Sequence, residues 1–178
     1  MNSFLTREEL AGIGFRSVGE NVLISRKASF YGAGRMEIGS NVRIDDFCIL
    51  SGKITLGSHI HISAYCALYG AEGITLEDYT GLSPRTTIFS AMDDFSGDWL
   101  IGPIHPEELT NVTGGPVTIR RFAQLGAGTT VFPSLTVEEG SVTGAMTLVT
   151  KSLRAWGIYA GIPARRLKER KRNLLKLL

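Results

Sequence analysis

Apolar residues recur at every sixth position over long stretches of the chain. One series runs without a slip from Ile38 to Leu68, and a second runs from Ile119 to Val149 with only Thr143 departing from an apolar side chain. In the second series the residue four places further on is also small or apolar, at Ala123, Thr129, Leu135, Ser141 and Thr147. An amphipathic helix repeats at about 3.6 residues and an ordinary strand at about two, so neither element explains this period.

A period of six indicates a hexapeptide solenoid, in which three hexads form one triangular coil of about 18 residues. Each flat side is then a short strand that pairs in parallel with the coils above and below it, and the apolar positions point inward. The coils are expected to start at Val18, Ile38, Leu56, Leu76, Ile119 and Val137. The sequence therefore predicts an all-β solenoid of about six triangular coils over residues 18–154.

Extra residues interrupt the period in one part of the coil only. Two coils carry two extra residues each, between Phe30 and Glu37 and between Leu68 and Thr75, and both additions lie in the third hexad. The one large insertion, residues 89–116, also follows the start of a third hexad. Solenoids accept insertions at one edge, which is often the functional edge, so we expect functional residues in this insertion.

Both ends of the chain are predicted to be helical. Residues 1–17 form a predicted helical cap, because Thr6 and Glu9 have the spacing of a capping box. Residues 155–178 form a predicted tail with a basic helix, in which Pro163 lies in the first turn. The formal net charge is only +2, so we interpret the basic tail as a solvated helix face rather than a nucleic-acid surface.

The composition and the cysteine positions indicate the cellular compartment and the classes of protein that are excluded. The sequence contains no run of 18 apolar residues that could span a bilayer, and its first ten residues contain no signal-peptide core. Cys48 and Cys66 match neither a disulfide framework nor a metal motif, and their separation of 18 residues predicts two small side chains stacked inside the solenoid. A disulfide or redox pair is the alternative interpretation. We expect a cytoplasmic protein without a membrane span, a nucleic-acid partner or a metal site.

Four segments resemble the hexapeptide-repeat acyltransferases: 126–129, 143–145, 149–151 and the closing Gly161-Ile162-Pro163-Ala164-Arg165. Within that family the chain is similar to the galactoside and maltose O-acetyltransferases and to the sugar acetyltransferases of O-antigen and capsule gene clusters. The resemblance implies a left-handed parallel β-helix, a homotrimer with sites between adjacent chains, and acetyl-coenzyme A as the acyl-donor substrate, with no permanently bound cofactor. The acceptor is expected to be a sugar or nucleotide sugar.

The resemblance also assigns the contacts to the coenzyme. Ala127 and Ala145 fall where the family holds the pantetheine arm, and such small residues permit close approach to the backbone. Four residues fall where the adenosine and phosphate end is held: Thr150, Lys151, Arg165 and Lys168. Cations are required there because the phosphates are anionic.

The histidine that serves as catalytic base in the galactoside and maltose enzymes is absent, since its expected position holds Asp93. Asp93 or Asp94 could act as the base, or His105 further along the same insertion could reach the site. Alternatively the acceptor is an amine, which needs no strong base because it is a better nucleophile than a hydroxyl. We favour an amino group on a nucleotide-linked deoxyamino sugar, used in O-antigen or capsule synthesis, with a sugar hydroxyl as the alternative.

Other residues could contact the sugar, and two other functions are compatible with the sequence. Tyr65, Tyr69, Glu72 and Trp99 are candidate sugar contacts. A zinc enzyme of the gamma carbonic anhydrase type shares this fold, but its three ligands would require every histidine of the chain: His59, His61 and His105. A scaffold protein that has lost its activity is the remaining alternative.

Overall fold

The computed structural model describes residues 3–177 as one short α-helix and a stack of strands. The helix, α1, spans Arg7–Ile13. Strands β1 to β20 follow in chain order at Ser17–Val18, Leu23–Ile24, Ser29–Tyr31, Met36–Ile38, Val42–Ile44, Ile49–Leu56, Ile60–Ile62, Ala67–Leu76, Gly81–Leu82, Thr87–Phe89, Ala91–Asp93, Val112–Gly114, Val117–Ile119, Gln124–Leu125, Thr130–Val131, Thr136–Val137, Val142–Thr143, Leu148–Val149, Gly157–Ala160 and Arg165–Glu169. Three 3₁₀ turns lie at Ala33–Arg35, Glu107–Leu109 and Asn173–Leu177.

The strands stack in parallel into a triangular prism. One flat side is formed by β2, β5, β7, β9, β14, β17 and β19 in that order, and its register places Ile44 beside Ile62 and Ile62 beside Leu82. The prediction of a left-handed β-helix is confirmed. The prism is longer than the predicted six coils, because Leu153 pairs with Val137 and β19 pairs with β17 to add an incomplete seventh coil.

The core consists of the residues at the predicted inward positions. Ile24, Ile44, Leu50, Ile62 and Leu68 are completely buried, as are the corresponding residues of the later coils: Leu76, Ile88, Ile119, Leu125, Val131, Val137 and Val149. Burying an aliphatic side chain of this size contributes about 1.5–3 kcal/mol. The repeat therefore stabilises every coil, and each coil covers the apolar faces of its neighbours.

The two cysteines stack inside the prism as free thiols, as the sequence predicted. The Cys48 Sγ lies 3.1 Å from the Ser63 carbonyl, and the Cys66 Sγ lies 3.2 Å from the Ser83 carbonyl. Contact with the Cys66 thiol, together with burial, raises the pKa of Cys48. Cys48 is therefore held in its neutral form.

Helix α1 closes the lower end of the prism. The predicted capping box is confirmed, since the Thr6 hydroxyl accepts from the Glu9 amide and the Glu9 carboxylate accepts from the Thr6 amide. Leu10 is the buried residue of the helix. The Glu9 carboxylate is also bound by both terminal nitrogens of Arg26, which ties the helix to the first coil. Within residues 3–177, no helix is long and apolar enough to cross a membrane.

The upper end requires a correction to the predicted basic helix. Residues 165–169 form strand β20, which pairs antiparallel with β19, and helical geometry is confined to the 3₁₀ turn at Asn173–Leu177. An uncovered β19 would expose a row of unpaired backbone groups, so the tail satisfies them as a strand. Arg170 anchors this end by donating to the Phe122 and Gly140 carbonyls at 2.7 and 3.0 Å.

The corners of the prism form three edges, two of them with left-handed residues in register. The first edge carries positive φ at Asn21, Asn41, His59, Tyr79, Phe122, Gly140 and Trp156, and the second edge at Phe47, Tyr65, Arg85, Gly128 and Met146. Rings stack along both edges, with centroids 4.7 Å apart for His59 and Tyr79 and 5.0 Å for Phe47 and Tyr65. The third edge holds the insertion, including the antiparallel pair β11 and β12.

Candidate functional site

Ala127 and Ala145 lie one above the other on the second edge. Both are exposed, and the Met146 amide donates to the Ala127 carbonyl at 2.7 Å. A Cβ at Gly126 would come within 2.6 Å of the Gly144 carbonyl carbon, so the two turns are as close as glycine allows. The upper second edge thus offers exposed backbone and the small side chains of Ala127 and Ala145, next to the exposed Met146, which fits an extended chain with amide groups.

The predicted phosphate-binding residues are divided between edges. Arg165 in β20 pairs with Ala160 in β19. The Ala160 Cβ lies directly above Gly144, since it would be 3.3 Å from a Cβ added to that glycine. Arg165 is therefore close to the top of the second edge. Lys168 lies further along β20, opposite Ile158. Thr150 and Lys151 instead follow β18 at the third edge. The structure therefore places Arg165 near the top of the edge that holds the alanine pair and leaves Lys151 on another corner of the same chain.

Asp94 holds the base of the insertion together. Its Oδ1 accepts from the Ser96 amide at 2.7 Å, and its Oδ2 accepts from Asn111 Nδ2 at 2.8 Å. These hydrogen bonds, that of the Ser96 amide above all, lower the pKa of Asp94. A carboxylate that is engaged through both oxygens and has a lowered pKa is a poor proton acceptor.

Asp93 ends strand β11 and is half-buried. Its Oδ1 accepts from the Gly102 amide at 3.3 Å, a long hydrogen bond. Within residues 3–177 its Oδ2 has no hydrogen-bond partner, so this oxygen can bind a substrate proton. His105 is half-buried further along the insertion, before the 3₁₀ turn at Glu107–Leu109. All three predicted catalytic candidates thus lie on the third-edge insertion, away from the alanine pair on the second edge.

The lower second edge contains polar and aromatic residues that sequence reasoning did not connect. Arg85 lies 5.9 Å from the centroid of Tyr65, and Lys27 lies 5.2 Å from that of Phe47. The signal for the aromatic pair was present, because Phe47 and Tyr65 directly precede the two cysteines and share their spacing of 18 residues. Arg85 gave no such signal, since it follows Tyr65 after 20 residues.

The histidines do not converge. His59 stacks on Tyr79 at the first edge, while His61 Nε2 lies 2.8 Å from Asp45 Oδ2 on a flat side of the prism. Among the residues that the structure describes, no three histidine, cysteine, aspartate or glutamate side chains form a group that could hold a metal ion. Within the described part of one chain, the three histidines therefore do not form the ligand set that the zinc-enzyme interpretation requires.

Comparison with known proteins identifies relatives over nearly the whole chain. The dTDP-4-amino-4,6-dideoxy-D-glucose acyltransferase of Escherichia coli is 40% identical over 178 residues, which cover 98% of this chain and 93% of that protein. The N-acyltransferase AntD from Bacillus cereus, solved with dTDP and 3-hydroxybutyryl-CoA, is 52% identical with a TM-score of 0.97 and coverage of 99% and 95%. No protein-family model matches the chain.

Two further solved structures are similar to this chain. A serine-to-cysteine variant of AntD, solved with dTDP-4-amino-4,6-dideoxyglucose and coenzyme A, is 51% identical with a TM-score of 0.97 and coverage of 99% and 95%. A hexapeptide-repeat acetyltransferase from Vibrio cholerae O1 biovar eltor shares the fold at 16% identity, with a TM-score of 0.65 and coverage of 93% and 76%. The predicted hexapeptide-repeat acyltransferase family is confirmed, and the relatives' N-acyl chemistry agrees with the predicted amine acceptor.

Proposed function

The chain belongs to the β-helix N-acyltransferases of dTDP-linked aminosugars, and we propose that it transfers the acetyl group of acetyl-coenzyme A to the 4-amino group of dTDP-4-amino-4,6-dideoxyglucose. The observation that carries this proposal is the similarity to AntD, at 51% identity over 99% of the chain, in a structure that contains that sugar nucleotide and coenzyme A. The missing histidine supports an amine acceptor for an independent chemical reason, since a neutral amine attacks a thioester without a strong base.

The reaction needs one proton acceptor. The sugar nitrogen attacks the thioester carbonyl, a C–N bond forms, and the C–S bond breaks to release coenzyme A. The nitrogen loses one proton, and the departing sulfur regains one as the thiol. We assign acceptance of the nitrogen proton to Asp93, because its Oδ2 is free within residues 3–177 whereas both oxygens of Asp94 are engaged.

The coenzyme follows the second edge in this proposal. The pantetheine arm lies against Ala127 and Ala145, and its amides hydrogen-bond to the exposed backbone of these turns. Arg165 and Lys168 hold the phosphates from strand β20, with Thr150 and Lys151 as the remaining predicted contacts. The main support for this assignment is Arg165, which lies close to the top of the edge that holds the alanine pair.

We further propose that the active protein is a homotrimer with each site formed by two chains. In one chain Asp93 projects from the third edge while Ala127 lies on the second, so one chain does not bring the proton acceptor to the thioester. The insertion also exposes Phe95, Trp99 and Ile104, and Ile104 is 87% exposed. Apolar exposure of this extent on one hairpin is typical of a surface that another chain covers.

The cellular compartment and the use of the product are part of the same proposal. We place it in the cytoplasm, because free buried thiols such as Cys48 and Cys66 are typical of a reducing compartment. The acylated nucleotide sugar would serve a glycosyltransferase that builds lipopolysaccharide or capsule.

The test is an incubation of the purified protein with acetyl-coenzyme A and dTDP-4-amino-4,6-dideoxyglucose. We expect stoichiometric release of free thiol and a sugar product heavier by one acetyl group in place of one hydrogen. Thiol release that does not depend on the sugar nucleotide would contradict the proposed acceptor.

A further inference from the structure

The last part of the chain, at the upper end of the prism, carries most of the positive charge. Residues 151–178 contain nine of the 19 lysine and arginine residues but only one of the 17 acidic residues, so their formal charge is +8. The rest of the chain has a formal charge of −6. The small net charge of +2 therefore conceals a strongly basic segment, which favours an anionic partner.

Two lysines of this segment have no anion assigned to them. The Arg166 guanidinium pairs with Glu169 at 2.6 Å, so the one acidic residue of the segment is already engaged. Lys171 and Lys176 are exposed and form no ion pair within residues 3–177. Neither lysine belongs to the proposed coenzyme contacts. Both ammonium groups are therefore available to an anion outside the chain.

Three leucines of the same segment are exposed. The residues on either side of Leu167 pair with consecutive residues of β19, Ile158 and Tyr159, so Leu167 is the extra residue of a β-bulge. A bulge leaves its extra residue out of the ladder, and Leu167 is 64% exposed. Leu175 and Leu177 lie in the final 3₁₀ turn and are 43% and 84% exposed. The structure thus shows that these leucines do not pack into the prism.

Exposed leucines among unpaired lysines fit the interface of an anionic bilayer. Ammonium groups are attracted to lipid phosphates, while leucine side chains enter the boundary between the headgroups and the acyl chains. A nucleic acid would use the charges but leave the leucines in water. The same tail of a second copy would bring like charge, and the charged side chains of β20 oppose the addition of another strand to its free edge.

We propose that a tail surface, made of Leu167, Lys171, Leu175, Lys176 and Leu177, binds the anionic surface of a lipid bilayer. The attachment is peripheral and reversible, because it consists of a few cations and three shallowly inserted leucines. The tail surface lies beyond the alanine pair of the second edge, at the end of the prism. The body of the prism therefore stays in water.

The test is co-sedimentation of the purified protein with two kinds of vesicle, one of phosphatidylglycerol and phosphatidylcholine in equal parts and one of phosphatidylcholine alone. We expect the wild type to bind only the anionic vesicles and to be released at ~0.5 M salt, because salt screens exposed charges. Leu175→Ser combined with Leu177→Ser should weaken vesicle binding by ~10-fold or more. Lys171→Gln combined with Lys176→Gln should weaken it by a similar factor of ~10-fold or more.

The matched control combines Leu23→Ser with Lys53→Gln. Leu23 lies at the lower end of the prism and is 44% exposed, which is close to the exposure of Leu175. Lys53 is exposed and forms no ion pair within residues 3–177. The control should bind vesicles like the wild type, and thermal melting verifies that each variant is folded.

Three results would overturn the proposal. The first is a wild type that stays in the supernatant with anionic vesicles. The second is equal vesicle binding by the wild type and the leucine variant, because a surface that needs only charge fits any polyanion, nucleic acid included. The third is a changed oligomeric state of the leucine variant in light scattering, which would make the tail surface an interface between copies of this chain.

Discussion

Asn111 and Asp94 close the base of the insertion by two reciprocal hydrogen bonds. Asn111 Nδ2 donates to Asp94 Oδ2 at 2.8 Å, and the Asp94 amide donates to the Asn111 carbonyl at 2.8 Å. These hydrogen bonds of Asp94 also fix the backbone position of Asp93, the residue that precedes it. Adjacent acidic residues that look equivalent in the sequence thus have different roles, one positioning the insertion and the other available for proton transfer.

Replacing the two aspartates separates these roles. We expect Asp93→Asn to lower kcat by ~10²-fold or more, because general-base catalysis typically contributes ~10²–10⁴-fold, and to leave coenzyme A affinity unchanged. Asp94→Asn should cost less than ~10-fold in kcat, since an amide oxygen still accepts from the Ser96 amide. Steady-state kinetics with both substrates measures the two effects. A larger loss for Asp94→Asn than for Asp93→Asn would exchange the two assignments.

The coenzyme assignment depends on Arg165. We expect Arg165→Gln to raise the Kd for acetyl-coenzyme A by ~10-fold or more, because hydrogen bonds to charged groups contribute ~1.5–3 kcal/mol. Lys151→Ala should also weaken binding if the third edge of a neighbouring chain faces the coenzyme. Arg154→Gln is the matched control, since Arg154 is exposed and has no ion pair within residues 3–177. Equal dissociation constants for Arg165→Gln and the control would remove Arg165 from the site.

A shared site predicts complementation between inactive chains. Asp93→Asn removes the proton acceptor from the third edge, and Ala127→Trp blocks the coenzyme channel on the second edge. Mixed oligomers, isolated with two affinity tags after co-expression, should regain part of the wild-type turnover because some sites combine two intact edges. Each variant assembled alone should keep only its low residual turnover. Mixed oligomers no more active than the separate variants would show that each chain contains a complete site.

The N-terminal cap predicts a pH-dependent contribution to stability. The Arg26 guanidinium and the Thr6 amide hold the pKa of Glu9 at about 2, below its usual 4.5. Because the pKa is lowered on folding, the stabilisation is complete above about pH 4.5 and is lost as the pH falls towards 2. The Tm difference between the wild type and Glu9→Gln should therefore narrow between pH 6 and pH 2. With Glu108→Gln, an exposed control, the difference should stay near zero, and a gap for Glu9→Gln that does not change with pH would refute the linkage.

The sequence predicted the prism because its inward positions accept little except apolar or small side chains. Ile62 and Leu125 must be buried in every such coil, so their spacing reveals the period. The helix predicted for the tail was wrong because the conformation of residues 165–169 depends on the uncovered edge of β19 and not on the pattern of apolar and basic residues in the tail. A basic segment followed by leucines is compatible with a helix until that edge is known.

The candidate site could be predicted only in part, and for a related reason. Ala127 and Ala145 belong to the repeat, so the resemblance assigned them by position. Phe47, Tyr65 and Arg85 share only a backbone conformation, and left-handed turn positions accept aromatic, cationic and glycine residues alike. Their common edge becomes visible when the coils are stacked, because residues 18 or 20 apart in the chain then become neighbours.

In the proposed reaction this enzyme acylates an amine on a dTDP-linked sugar. The most direct measurement compares thiol release from acetyl-coenzyme A with dTDP-4-amino-4,6-dideoxyglucose and with the matched dTDP-6-deoxyglucose, which carries a hydroxyl at the same carbon. We expect rapid, saturable release with the amine and no release above background with the hydroxyl. Equal or faster turnover with the hydroxyl sugar would contradict the proposed N-acylation and identify the protein as an O-acetyltransferase.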